Sequence, residues 1–140
     1  MPFSSLPLEP RMPLEYLGAE PTTSDRQPRP FSPAVRAGDF IYVSGQVPAD
    51  ANGEIVVGGI EAQTRQVMEN LKAVLAMAGA TLDDVCKSTV WLQDARDFGA
   101  FNRVYMGYFG AGKPARSTTE ARLMVDAKVE IDVVAYKPKN

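Results

Sequence analysis

The stretch GIEAQTRQVMENLKAVLAMAG (residues 59–79), followed at once by ATLDDVCKSTVWLQ (residues 80–93), sets the class of the fold. In the first part Ile60, Thr64, Val67, Leu71, Val74, Leu75 and Ala78 recur at helical spacing on one face. Glu61, Arg65, Glu69 and Lys72 fill much of the other. The spacing predicts a helix over 59–78, stopped by Gly79. Thr81 then opens a short helical turn with Asp83 and Asp84 as acids at its N-terminal end. From Val85 to Gln93 β-branched and aromatic residues crowd together, which predicts a strand.

Working outward, Asp97 to Phe109 repeats the helical pattern, with Phe98, Phe101, Val104, Tyr105 and Phe109 as its buried stripe. Ala115 to Leu123 reads as a strand, Asp126-Ala127 as a turn, and Lys128 to Tyr136 as the last strand. In that strand Val129, Ile131 and Val133 face one way, and Glu130, Asp132 and Val134 the other. Upstream, Ala34–Arg36 and Phe40–Ser44 form a hairpin around Gly38-Asp39. Residues 1–33 hold eight of the 11 prolines. They read as an extended arm, mobile over its first dozen residues, with room for an edge strand at Leu14–Leu17. The organisation is an arm over 1–29 and one domain over 30–140.

The resulting order, β-β-α-β-α-β-β, is α+β, a two-layer arrangement with two helices on one face of a mixed sheet. The opposite face carries Tyr42, Thr89, Trp91 and Val134, too apolar a set to be simply wet. It calls for a partner subunit.

Composition narrows the chemistry. A net charge of -2 offers no basic footprint for nucleic acid. No apolar run reaches the length of a membrane span, and the N-terminus lacks the pattern of a signal peptide, so the expected compartment is the cytoplasm. A single cysteine, Cys86, excludes an internal disulfide; between strand residues it reads as a buried small hydrophobe. There is no histidine. The commonest general base and metal ligand are therefore absent, and catalysis falls to carboxylates, Arg, Lys, Tyr, hydroxyls and backbone.

Candidate residues come from three places. Arg116 follows the turn Gly112-Lys113-Pro114 at a strand start, where its planar fork is placed to grip a carboxylate. Taken alone it also reads as one more surface charge among 15 basic residues. Ser44-Gly45-Gln46 ends a strand, and Gly45 either marks a bulge or lets backbone approach a ligand. Glu130 lies mid-strand on the non-core face. It reads as a solvated carboxylate or, under a covering subunit, as a group that holds water and moves a proton. Asn102 is a weaker candidate on the second helix, and Phe31 and Trp91 read as core or pocket lining.

Several of these fall in motifs that resemble one family. Pro30-Phe31-Ser32, Phe40 to Pro48 (FIYVSGQVP), Gln63 to Leu71 (QTRQVMENL), Val85 to Val90 (VCKSTV), Phe101 to Tyr105 (FNRVY), Pro114-Ala115-Arg116-Ser117 and Val129-Glu130-Ile131 occur in the order found in the Rid family. These are the reactive intermediate deaminases, also called YjgF-like, and the resemblance spans about residues 30–137. It implies a chorismate-mutase-like fold, a homotrimer with clefts between subunits, and no cofactor or metal. It also implies hydrolysis of small imino and enamino acids to 2-oxo acids and ammonia, as in a 2-iminobutanoate/2-iminopropanoate deaminase. By position, Arg116 would anchor the substrate carboxylate and Glu130 would orient the water. Gly45 would donate a backbone N–H near the ligand, while Ser44, Asn102, Thr118, Phe31 and Trp91 would line the pocket.

Departures border that cleft. Phe31 stands where many members have tyrosine and Thr118 where cysteine is common, the segment Gly110–Lys113 is short, and the N-terminal arm is long. They favour a larger or more apolar substrate, or a divergent one such as 2-aminomuconate. A non-catalytic carboxylate-binding module is the alternative. A nuclease or chaperone role finds no support in the charge balance.

Overall fold

The computed structural model describes residues 13–18 and 29–139. Eight main elements follow in chain order: β1 (Glu15–Leu17), β2 (Ala34–Ala37), β3 (Phe40–Gln46), α1 (Ile60–Met77), β4 (Val85–Leu92), α2 (Phe98–Met106), β5 (Ala115–Glu120) and β6 (Val129–Tyr136). They form one six-stranded sheet in the order β1-β2-β3-β6-β4-β5. Among the described strands only β4 and β5 run parallel, and α2 lies between them in sequence as their crossover. The other pairs are antiparallel. Both helices pack on one face, the two-layer arrangement expected. The mobility expected of the first dozen residues lies outside the described residues. β1, inside the stretch read as the arm, pairs with β2 at the sheet edge.

Strand alternation sorts every residue of β6. Val129, Ile131, Val133 and Ala135 are buried beneath the helices, while Glu130, Asp132 and Val134 are half-buried on the open face. α1 brings Ile60, Thr64, Val67, Leu71, Val74 and Leu75 to the core, together with Gln63 and Met68. Gly79 takes φ +73, the left-handed cap that lets the chain leave the helix. Gly38, at φ +62, opens the two-residue turn between β2 and β3.

Four expectations are corrected. The second helix stops at Met106 rather than Phe109, because the next amides bond back only three residues, to Val104, Tyr105 and Met106. Phe109 still reaches the core. Phe98 does not join the buried stripe: it opens α2 and is 43% exposed. Cys86 is exposed, at a register shift of β4 between Val85 and Lys87 that turns its side chain off the core face. The fifth strand also ends early, at Glu120, after which Ala121 makes one more bond to Leu92 before the chain turns away. Among the described residues no helix is long and apolar enough to cross a membrane.

Candidate active site

Gly45 sits where β3 slips against β6. Val43 stands opposite Val133 and Gln46 opposite Ile131, so β3 carries one extra residue. The slip brings the Gly45 backbone against Glu130. A Cβ at position 45 would collide with Glu130 Oε2 and lie 3.1 Å from its Cδ. The bulge reading of Gly45 therefore holds, and its missing side chain admits a close neighbour. That neighbour is a carboxylate of the chain itself.

Ser44 is fixed beside it. Its Oγ donates to the Ser32 carbonyl at 2.6 Å and its amide to the Pro33 carbonyl at 2.9 Å. This ties the segment carrying Phe31, whose ring is 54% exposed, to the end of β3. Trp91 stands beside Glu130 across β4 and β6, and Asp132 stands beside Thr89. Burial raises the proton affinity of Glu130 above the ordinary carboxylate value of 4.5, and the nearby charge of Asp132 adds to it. Asp132 is raised in the same way by burial, against opposing help from Thr89 and Lys87.

Arg116 belongs to a different place. It pairs in register with Ser88, and Thr118 with Val90, both fully buried core residues. Arg116 and Thr118 therefore project toward the helices, whereas Glu130 projects from the open face. One strand, β4, also lies between their strands. Within one chain the two are not brought together.

The guanidinium rests instead on α2. Its central carbon lies 4.8 Å from the Tyr105 ring centroid, 5.5 Å from Phe101 and 5.6 Å from Phe98. Among the described residues no carboxylate pairs with it. Ring faces hold the charge without a carboxylate partner, and the donors not turned to the Tyr105 hydroxyl stay available to an anion. Arg116, Asn102, Tyr105, Met106, Lys113 and Pro114 line one open cleft of about 380 Å³. Among the described residues two cations and no acid line it. Among the described residues Asn102 Oδ1 and Thr118 Oγ1 are buried without a partner, each at a desolvation cost of about 1–3 kcal/mol.

The sequence-selected residues thus divide into two half-sites. One joins Phe31, Ser44, Gly45, Trp91 and Glu130 around the open sheet face. The other joins Asn102, Arg116 and Thr118 at the β5 side. Sequence reasoning missed the rings beneath Arg116, Lys113 in its cleft, and Asp132 beside Glu130. Asp132 was marked by its i, i+2 spacing from Glu130, and Tyr105 by being a tyrosine on a buried stripe, where its hydroxyl needs a partner.

Comparisons with known proteins agree with this architecture. A family model described as Endoribonuclease L-PSP matches residues 24–137. A RutC family protein of Pyrococcus horikoshii is 52% identical over 110 residues, covering 77% of this chain and 87% of the relative. The 3-aminoacrylate deaminase RutC of Acinetobacter baylyi is 42% identical over 109 residues, covering 76% and 86%. Among solved structures, a protein of the Rid family from Yersinia pestis, YyfA, superposes with a TM-score of 0.78 at 36% identity, covering 89% of this chain and 99% of that one. The bulge, the strand order and these matches converge: the chain belongs to the Rid/YjgF/RutC family, whose family model carries the Endoribonuclease L-PSP description.

Proposed function

We propose that the chain is a hydrolytic deaminase of reactive enamines and imines, acting as a homotrimer at clefts where the Glu130 half-site of one copy meets the Arg116 half-site of another. The observation that carries this reading is Glu130, a carboxyl of raised proton affinity packed on bare backbone at Gly45. Such a group shifts between base and acid closer to neutral pH than an ordinary carboxylate does. The 3-aminoacrylate deaminase relative supports deamination as the class of reaction.

In this mechanism Arg116 takes the substrate carboxylate in a two-pronged grip and fixes the adjacent C=N carbon. Water adds its oxygen to that carbon while Glu130 accepts the proton. Glu130 then returns that proton to the carbinolamine nitrogen, the C–N bond breaks, and ammonia leaves as the hydroxyl gives its proton to solvent and the C=O forms. The product is a 2-oxo acid. The unpaired, exposed Cys86 supports a reducing cytoplasm.

A second reading concerns substrate choice. Lys113 shares the cleft with Arg116 and no acid lines it, which favours a substrate with a second carboxylate, as in the 2-aminomuconate alternative. One experiment separates the readings. Imines are generated in situ by amino-acid oxidases from monocarboxylic and dicarboxylic amino acids, and 2-oxo acid release is followed. Acceleration over buffer is expected for wild type, with a loss of about 30-fold or more in Arg116→Ala. No acceleration with any imine, alongside intact carboxylate binding, leaves the non-catalytic binding module. RNA cleavage that co-purifies with the protein and survives in Arg116→Ala would redirect the reading toward the nuclease description.

A further inference from the structure

Phe98 is the exposed aromatic that the fold does not explain. It opens α2, is 43% exposed, and adds nothing to the core stripe. Its ring centroid lies 5.6 Å from the Arg116 guanidinium carbon. Phe101 and Tyr105 lie at 5.5 and 4.8 Å from the same atom. Three rings of one helix therefore surround a single cation on β5.

The third ring is itself held in place. Tyr105 is 5% exposed, and its hydroxyl lies 2.6 Å from Ser88 Oγ. Ser88 is fully buried and stands directly beside Arg116 across β4 and β5. A closed triangle results: backbone register fixes Ser88 against Arg116, a buried hydrogen bond fixes Tyr105 to Ser88, and the Tyr105 ring supports the Arg116 head. A tilted contact with Phe101, with centroids 5.3 Å apart, extends the platform.

We propose that Phe98, Phe101 and Tyr105 are positioning residues for Arg116, an aromatic platform that replaces the usual carboxylate partner and orients the guanidinium toward an incoming substrate carboxylate. A carboxylate partner would occupy the donors that the substrate needs and would repel it. Ring faces attract the cation through their quadrupole without neutralising it, and the N–H donors not turned to the Tyr105 hydroxyl remain for the substrate. Phe98, 43% exposed, is the outermost of the three rings and sits just outside the residues that line the Arg116 cleft. The proposal rests on Arg116 as the substrate anchor, but its test reads carboxylate binding and so does not depend on catalysis.

The probe is 2-oxobutanoate, titrated calorimetrically into full-length wild type, Phe98→Leu, Phe98→Tyr, Tyr105→Phe and Arg116→Ala. Phe98→Leu keeps an apolar side chain at an exposed position and removes only the π face. It is expected to weaken binding about 3- to 10-fold with the melting temperature unchanged, and to raise KM by the same factor while kcat holds. Phe98→Tyr restores the face and is expected to restore binding. Tyr105→Phe keeps the ring but loses the hydroxyl that Ser88 holds, and is expected to lower the melting temperature and to weaken binding as the ring loses its fixed place. Wild-type affinity in Phe98→Leu, or equal weakening in Phe98→Leu and Phe98→Tyr, overturns the platform. If wild type binds no carboxylate, or Arg116→Ala binds as well as wild type, both the platform and the anchor role of Arg116 fall. Intact binding without turnover overturns the deaminase reading alone.

Discussion

Glu130 and Asp132 set the pH response at the scale of single residues. Burial keeps both protonated to higher pH than in the unfolded chain. The native state therefore binds more protons than the unfolded state in the window just above ordinary carboxylate values. Stability is fully present below that window and declines as pH rises through it. Glu130→Gln removes the Glu130 part of this penalty. Its melting temperature is expected to exceed that of wild type at neutral pH, with the difference vanishing near pH 4, in thermal unfolding measured across pH. Gly45 explains why the penalty is tolerated: without a Cβ at 45, the carboxylate has one place to lie.

Residue types were legible in the sequence and their company was not. Glu130 was visible because strand alternation puts a lone acid on the wrong face for the core. The bulge that seats it depends on the register between β3 and β6, strands separated by more than 80 residues of chain, and no local pattern encodes that register. Phe98 was misassigned for a related reason. Helical spacing gives its direction around α2, but whether that direction meets core or a cation depends on where β5 lies.

Among the elements, α1 and β6 were read almost to their ends, because each has an apolar period sustained over its whole length. The weaker boundaries, at Met106 and Glu120, lie where hydrophobic spacing persists after the hydrogen bonds have changed. One tie between elements carried no sequence signal. Arg36 of β2 is 5% exposed and donates to the carbonyls of Ala78 at 3.0 Å and Lys137 at 2.7 Å. It thus places a cation at the C-terminal end of α1 and clamps that end to the residue just after β6. Arg36→Met keeps the apolar stem but strips both carbonyls of their buried partner. A loss of about 2–4 kcal/mol is expected, or roughly 10 °C in melting temperature, read by denaturant and thermal unfolding.

For the whole molecule, the two half-sites make a prediction that neither makes alone. Arg116 and Glu130 face opposite sides of one sheet, so a complete site built from both needs two copies of the chain. The exposed aromatics of the open face, Phe40, Tyr42 and Tyr136, give a second copy apolar surface to cover. Arg116→Ala and Glu130→Ala are each expected to be inactive. Mixed in equal amounts, denatured and refolded together, they are expected to recover roughly a quarter of wild-type activity, because that share of clefts receives both intact residues. Recovery no greater than the sum of the separate variants overturns the shared site.

The place of β6 has a consequence for synthesis. The last strand of the sheet to leave the ribosome is not an edge; it lies between β3 and β4. Without it, the remaining strands of this sheet fall into two sets that share no pairing, β1-β2-β3 and β4-β5. The strand that joins them is the one that carries Glu130. Closure of the sheet and delivery of the acid are therefore a single late event, and a chain halted before Lys128 has neither a continuous sheet nor the carboxyl that seats on Gly45.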